Sequence, residues 1–556
     1  QQFRRQDRPR SHAPFRKLFV VCGVTLLCAL FIIIIIIVVV IIAARPKCPQ
    51  GAFSHAAVAA DSRTCSEIGR EALRAGGSAV DGAIAALLCT SVVNPQSMGL
   101  GGGVIFTVMS SSGQVRVINS RETAPRNFQA DLLDSLTGSL QWIGVPGEIR
   151  GYAEAHRLYG KLPWPDLFWP TIQLAREGLA ISEVLGRYLS YLNVSRDITL
   201  FSDDGGNLLK TGDILKFEKL ADTLEVIANE GPDVFYTGQI AEDLIRDVQE
   251  AGGTLTAQDL AAYRATVTDA WRVPLGEYQM YTPPPPTGGI LLSLVMNVMN
   301  GYHLNSSALE GEQKTLTYHH YVEAFKFANG LKKYTRDPKF SSEEVAGNAT
   351  QESFADHIRS LIKNNMTHDT EYYSITPYLD NIGTTHVSVL AEDGSAVSVT
   401  STINQIFGSL VFSPRTGVIL NNQLSDFCGR VENISPGERP PSFVAPSLIK
   451  SQLSTLVIGS AGGSTITTGL ASALMNHLWF GKSLEEAIAE PVVFVDSSAK
   501  LTFERKFDQK VIDGLTALGH QQGKVRLFNV VNAVEKVGDC IWAVSDARKL
   551  GQAAGY

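Results

Sequence analysis

Cysteine is scarce in this chain, with seven in 556 residues. That is too few to staple a protein of this length, so its stability must come from a sizeable buried core. Positive charge is not in excess. Lysine and arginine number 48 against 55 acidic residues, a net charge of −7, which excludes the broad basic footprint of a nucleic-acid binder. No internal repeat runs through the chain, so a solenoid or propeller is excluded. Metal-ligand spacing is also lacking. The pair His319-His320 is read as having no spaced carboxylate or Cys partner, and neither a metal nor a cofactor is expected. The length suits one large domain or two ordinary ones.

One apolar run stands out. Leu18 to Ala44 carries no charge over 27 residues and contains an Ile32–Ile42 block of Ile and Val alone. Crossing a bilayer takes roughly 20 apolar residues, and a signal-peptide core is shorter than this run. Residues 1–17 hold Arg4, Arg5, Arg8, Arg10, Arg16 and Lys17 against one acid, Asp7. The expectation is a cytoplasmic tail over 1–17 and a transmembrane signal-anchor over 18–44, in a type II orientation. A cleaved signal cut near Ala43-Ala44 is the alternative. Everything beyond Arg45 should face an oxidising, extracellular compartment. Five N-glycan acceptor triplets agree, at Asn193, Asn305, Asn348, Asn365 and Asn433.

Along the ectodomain, helical and strand patterns alternate. Ile68, Ala72 and Leu73 share a helical face that Gly76-Gly77 ends. Ser78 to Val92 is apolar nearly all round, as a buried helix is. Met98-Gly-Leu-Gly-Gly-Gly103 leads into a strand, Val104–Met109. A dinucleotide loop would follow its strand, so these glycines are read as close backbone packing. Val115–Asn119 is a second strand and delivers Arg121. Helices are expected after Gly144-Val-Pro-Gly-Glu148, after Phe235-Tyr-Thr-Gly238, over Ile290–Asn300 beyond a Pro-rich turn, and over Ile466–Phe480. Ser483-Leu-Glu-Glu486 is a capping box. Residues 341–382 are polar with little periodicity and read as an exposed linker; Thr416–Leu420 reads as a strand. Strand pairs flanked by helices suggest a layered α/β body with two sheets between helical layers.

Asn381-Ile-Gly-Thr-Thr-His-Val-Ser-Val-Leu390 organises the rest. Val387 and Val389 alternate with polar residues, Glu392-Asp-Gly-Ser395 is a turn signal, and Ala396 to Ile403 alternates again. This is a β-hairpin with Gly383-Thr384 at its mouth. Cutting between those two residues would give Thr384 a hydroxyl and a free α-amine. With a typical pKa of roughly 7.7–8.0, that amine can take the hydroxyl proton near neutral pH.

Gly383-Thr-Thr-His386, Thr400-Ser-Thr-Ile-Asn404, Asn421-Asn422, Asp426 and Gly459-Ser-Ala-Gly-Gly463 together resemble the small subunit of γ-glutamyltransferases. The likeness is greatest to the branch that cleaves leukotriene C4. It extends from Phe53-Ser-His-Ala-Ala-Val-Ala-Ala-Asp61 to Ser545-Asp-Ala-Arg-Lys549 and Ala554-Gly-Tyr556. The resemblance implies a four-layer αββα sandwich of N-terminal-nucleophile hydrolases. It also implies self-cleavage between Gly383 and Thr384 into a large subunit, 45–383, and a small catalytic subunit, 384–556. The substrates would be glutathione and its conjugates, with no nucleic-acid partner, at the plasma membrane. Thr384 would be nucleophile, Thr402 its orienting hydroxyl, and Gly462 and Gly463 the oxyanion hole. Arg121 and Ser442 would hold the substrate α-carboxylate, and Asn404, Gln423 and Asp426 its α-ammonium. His386 fits the motif without a proton-transfer role. A Cys65–Cys89 bridge is implied as well, leaving at least one ectodomain thiol over.

Two positions depart from the pattern. Gln423 stands where Glu is usual, and Phe443 where a second Ser would follow Ser442. Both changes weaken recognition of the substrate's amino-acid end, which motivates a rival expectation: a catalytically weak or silent ectodomain of the same fold. An amidase acting on another acyl group is a third, opposed by Arg121 and Asp426.

Overall fold

The computed structural model describes residues 27–37, 48–128, 142–190, 192, 199–203, 205–342, 344–376, 382–427, 434–524 and 529–556. The chain divides into two units, Gln1–Gln50 and Gly51–Tyr556. Within the first, residues 27–37 are helical and exposed. The rest of the 18–44 run lies outside the described residues, among which no helix is long and apolar enough to cross a membrane.

The second unit is built on two antiparallel sheets. The larger runs in the order β17 (Ala554–Gly555), β1 (Ala57–Ala59), β9 (Thr385–Leu390), β10 (Ala396–Thr402), β2 (Gly103–Met109), β3 (Val115–Ser120) and β6 (Thr266–Asp269). The other runs β16 (Cys540–Val544), β15 (Val530–Val537), β12 (Ser454–Ala461), β11 (Ser447–Lys450), β8 (Tyr278–Thr282) and β7 (Trp271–Leu275). Two short two-stranded sheets stand apart, β4 (Leu179–Ala180) with β5 (Ile214–Leu215) and β13 (Val493–Val495) with β14 (Leu501–Phe503). The predicted hairpin is β9–β10, with Val387 opposite Val399 and Val389 opposite Val397.

Strand alternation sorts the layers. Val58, Val104, Phe106, Val108, Val387, Val389, Val397 and Val399 join a core with the helices Arg63–Arg74, Ala79–Val93 and Glu148–Tyr159. The opposite face of the same strands meets the second sheet through small polar residues. Thr107 Oγ1 donates to the Pro446 carbonyl at 2.7 Å, Ser388 Oγ to Asn532 at 3.0 Å and Ser398 Oγ to Ile458 at 2.8 Å. Helices Gly289–Asn300, Gly311–Leu331 and Ile466–Leu478 share the second core with the six-stranded sheet. The result is a helix–sheet–sheet–helix sandwich.

Two expectations are corrected. The expected linker 341–382 is not open where it is described, over 341–342 and 344–376; residues 377–381 lie outside the described residues. The described part carries the helices Glu344–Asn348 and Glu352–Leu361, and Ala346, Ala349, Ala355, Ile358, Ile362 and Tyr373 are buried. Thr416–Leu420 is not a regular strand. It makes only isolated bridges, Phe412 to Ile419 and Gly101 to Leu420, because Gly417 turns the chain at φ 73° against Leu220. Cys65 is bonded to Cys89; Cys48 and Cys540 are also disulfide-bonded, and Cys428 lies outside the described residues. Asn305, Asn348 and Asn365 are exposed, whereas Asn193 and Asn433 fall outside the described residues.

Candidate active site

Sheet register gathers the site. Thr385 pairs with Ser401, Thr402 with Gly103, and Val104 with Ser120. Thr384, Thr402, Gly103 and Arg121 therefore lie in a row at one end of the larger sheet. β12 of the second sheet ends nearby at Ala461, so that Gly462 faces the same row.

The Gly383–Thr384 peptide is held from several sides. Gly462 N–H donates to the Gly383 carbonyl at 3.0 Å. Thr384 Oγ1 donates to Thr402 Oγ1 at 3.0 Å, which also accepts from Asn404 N–H at 2.8 Å. Thr384 has φ 82°, a region costly for a β-branched residue. Gly383 has to be glycine, since a Cβ there would sit 2.1 Å from the Asn404 carbonyl oxygen. Gly462 takes φ 124° and Gly463 φ 63°, both unfavourable for other residues.

Beside this peptide lies a buried charged group. Arg121, 2% exposed, donates to Asp426 Oδ2 at 2.6 Å and to the carbonyls of Pro440 and Pro441 at 2.7 and 2.9 Å. Gln423 Nε2 donates to the same Asp426 oxygen at 2.7 Å, while its own Oε1 is buried and has no partner among the described residues. Asn404 Nδ2 donates to the Asn422 carbonyl at 3.1 Å and to Ser425 Oγ at 2.7 Å. Ser442 follows Pro441 directly, and its Oγ accepts from Val444 N–H at 3.1 Å. Phe443 is buried in the second core with Lys332 Nζ 4.1 Å from its ring centre, so this departure fills space and offers no hydroxyl. Asn421 braces the floor. Its Nδ2 donates to Gly101 and Gly144, and its Oδ1 accepts from Gly144 and Gln423.

Several buried ionisable groups here were not singled out by the sequence. Glu122, next to Arg121, finds no other residue to bond either carboxylate oxygen among the described residues, and burial pushes its carboxyl up to about 8 against the pull of Arg121. Glu148 accepts from Tyr152 and Ser401, and burial likewise takes it to about 8. Asp61 and Lys549 form a pair at 2.6 Å directly behind Thr384. Both ended stretches that resemble the γ-glutamyltransferases, yet no short motif ties them together. His386 is neutral: burial lowers it to about 3, with Nε2 on Ser388 Oγ and Nδ1 on Thr400 Oγ1. Its ring explains Gly459, where a Cβ would lie 2.0 Å from Cε1.

The reading of His319-His320 needs correction. Glu323 stands one helical turn beyond His319, and His520 joins them to form a buried triad with metal-ligand potential. Lys326 occupies its midst, with Nζ 3.3 Å from Glu323 Oε1 and 3.0 Å from His520 Nδ1. His319 Nε2 faces the Lys363 carbonyl at 2.7 Å and must carry a proton, so Nδ1 accepts from His520 Nε2–H at 2.8 Å. The ammonium thus supplies the positive charge, and every group is bonded.

Two layers of helix around two antiparallel sheets, with a Thr at a strand mouth and an amide on the preceding carbonyl, define the N-terminal-nucleophile hydrolase class. A solved cephalosporin acylase from Bacillus halodurans has the same fold, with a TM-score of 0.80 at 23% identity, covering 92% of this chain and 98% of that one. Residues 65–556 match the family model of γ-glutamyltranspeptidase. The glutathione hydrolase 5 proenzyme of Rattus norvegicus is 46% identical over 97% of this chain and 98% of its own length. Its Homo sapiens counterpart is 46% identical over 92% and 94%. The chain belongs to the γ-glutamyltranspeptidase family and is a γ-glutamyltransferase that cleaves γ-glutamyl compounds.

Proposed function

We propose that this chain is a self-processing, membrane-anchored ectoenzyme. It cuts itself between Gly383 and Thr384, then cleaves the γ-glutamyl amide of glutathione and of glutathione conjugates such as leukotriene C4. The Gly462 N–H on the Gly383 carbonyl, with the Thr384 hydroxyl held by Thr402, is the observation that carries this reading. In the first reaction Thr384 Oγ1 attacks the Gly383 carbonyl carbon and the C–N bond breaks. Water then hydrolyses the resulting ester to a Gly383 carboxylate and a free Thr384 α-amine. In the second, the same hydroxyl attacks the γ-carbonyl with the amine as base. The γ-glutamyl ester passes to water or an amino acceptor, while Gly462 and Gly463 stabilise the oxyanion.

Arg121 and Ser442 take the substrate α-carboxylate, and Asn404, Gln423 and Asp426 its α-ammonium. The Arg121–Asp426 pair supports this division, because each partner bears the charge that the other's substrate group would carry. Gln423 Oε1, buried and unbonded among the described residues, is suited to accept from the ammonium. The subunits 45–383 and 384–556 stay together because strands from the two sides of residue 383 pair within each sheet, β1 with β17 and β9 and β2 with β10 in the larger, and β8 with β11 in the other.

Residues 18–44 span the plasma membrane with 1–17 in the cytoplasm. This rests on the 27-residue uncharged run and its basic flank. Exposure of Asn305, Asn348 and Asn365 supports an extracellular catalytic unit. N-terminal sequencing of the purified ectodomain together with a γ-glutamyl anilide assay tests the reading. A Thr384 terminus with turnover is expected; an uncut chain would sink it. A Thr384 terminus without turnover favours the silent ectodomain, which Gln423 and the buried Phe443 motivate.

A further inference from the structure

We propose that Lys549, held by Asp61, is a positioning residue for Thr384: its ammonium grips the Thr384 carbonyl and so fixes the direction of the hydroxyl and, after the cut, of the α-amine. The proposal rests on the reading of Thr384 as nucleophile.

An ammonium has three N–H donors, and all three of Lys549 are engaged. They reach Asp61 Oδ2 at 2.6 Å, Ser97 Oγ at 3.0 Å and the Thr384 carbonyl at 3.0 Å. Lys549 is 7% exposed and Asp61 2%. Two charges so deeply buried persist only if fully bonded, and Asp61 is. Besides Lys549 it accepts from Thr385 Oγ1, and its Oδ1 accepts from Asn532 Nδ2 at 2.8 Å. Asn532 Nδ2 in turn donates to the His386 carbonyl at 2.7 Å. One bracket therefore holds three consecutive residues, Thr384, Thr385 and His386.

The lysine itself starts from a fixed point. It closes the short 3-10 turn Ala547–Lys549, capped by Asp546. Arg548 ties that turn to Glu504 and to the carbonyls of Ile488 and Glu490.

The need for a grip follows from the cut. In the continuous chain Thr384 is anchored on both sides. Cleavage frees its nitrogen, and the residue, held at φ 82° before the cut, keeps only its bond to Thr385. With the Thr384 carbonyl pinned its Cα is fixed, and the bond of Thr384 Oγ1 to Thr402 then selects where the side chain and the amine point. Misplacing a reacting group by about an ångström can cost roughly 100-fold in rate.

The test uses the full-length chain carrying Lys549→Met. Precursor cleavage is followed on gels, and turnover of γ-glutamyl anilide is normalised to Thr384 N-termini counted by sequencing. Expected are slower precursor cleavage and a kcat per cut chain lower by about 10- to 100-fold, with KM within about threefold. Wild-type kcat and cleavage overturn the proposal. So does a raised KM with unchanged kcat, which would make Lys549 a substrate contact. If Lys549→Met yields no folded protein, Asp61→Asn is read instead. It keeps the shape but removes the charge holding the ammonium, and kcat should fall severalfold at constant KM; wild-type values there overturn the proposal. A wild-type protein that cuts itself but never turns over would defeat the catalytic reading alone, since precursor cleavage in the variants still decides the role of Lys549.

Discussion

The amide of Gly462 lies 3.0 Å from the carbonyl oxygen of Gly383, so a donor from one sheet already polarises the peptide at the strand mouth of the other. A single oxyanion site can thus serve both the cut and later turnover. Replacing Gly462 by Ala would force a Cβ to 2.6 Å from Thr465 Oγ1 at φ 124° and turn the amide away. The expected outcome is a precursor that cuts about 100- to 1,000-fold more slowly, read as a persistent full-length band. Thr384→Ala should remain uncut and inactive while keeping its melting temperature within a few degrees, because Thr384 Oγ1 makes a single side-chain hydrogen bond among the described residues.

Gln423→Glu should act in opposite directions on binding and stability. Gln423 Nε2 now donates to Asp426 Oδ2 at 2.7 Å. A carboxylate in its place loses that bond and sets like charge against Asp426, so the ligand-free protein should melt lower. A substrate ammonium gains a charge-assisted partner, worth about 1 kcal/mol, so KM should fall about fivefold. KM for γ-glutamyl anilide and the melting temperature, measured on one preparation, check both signs. A rise of kcat from zero would instead reveal a wild type that is catalytically silent.

The hairpin and its site were legible because period-2 alternation marks β9 and β10, and because the strand Val115–Asn119 delivers Arg121. Charge pairs across the fold were not. Asp61 and Lys549 lie 488 positions apart, and nothing local announces that either is buried. The helix Glu352–Leu361 was hidden because Phe354, Ala355, Ile358 and Leu361 form its inner face amid polar residues. Glu323 sits four residues after His319, yet only the arrival of His520 in the fold gives that spacing a meaning.

Stability should have a maximum near pH 6.5, for two opposed reasons. His319, His320, His386 and His520 are all lowered by burial. Below their unfolded pKa of about 6.5 the unfolded chain binds protons that the native one refuses, so stability falls as pH falls. His477, raised by Glu535 despite its burial, is protonated in both states below 6.5 and instead adds to the loss of stability as pH rises above that value. Glu122 and Glu148 are raised from 4.5 to about 8. Between those values the unfolded chain releases protons that the native one keeps, so stability falls as pH rises. Each group contributes at most about 1.4 kcal/mol per pH unit. Glu148→Gln, which mimics the neutral acid, should flatten the decline between pH 6.5 and 8. Melting temperatures across that range measure it, and an unchanged slope would contradict the assignment.

Thr367 is expected to serve two ends that substitution can separate. It completes the acceptor triplet of Asn365, and its hydroxyl is also built into the polar network of the second core. It donates to Glu323 Oε1 at 2.7 Å, accepts from Lys326 Nζ, and lies 3.0 Å from Tyr373 OH. Asn365 itself is exposed. Asn365→Gln should remove one glycan, seen as a mobility shift that enzymatic deglycosylation abolishes, and leave the melting temperature nearly unchanged. Thr367→Ala should give the same shift and destabilise the fold by about 1–3 kcal/mol, because Glu323 and Lys326 each lose a partner in a buried site. Thr367→Ser separates the effects further: the hydroxyl survives, so both the glycan and most of the stability should return. Equal melting temperatures for the Asn365 and Thr367→Ala variants would mean that the network does not depend on this hydroxyl.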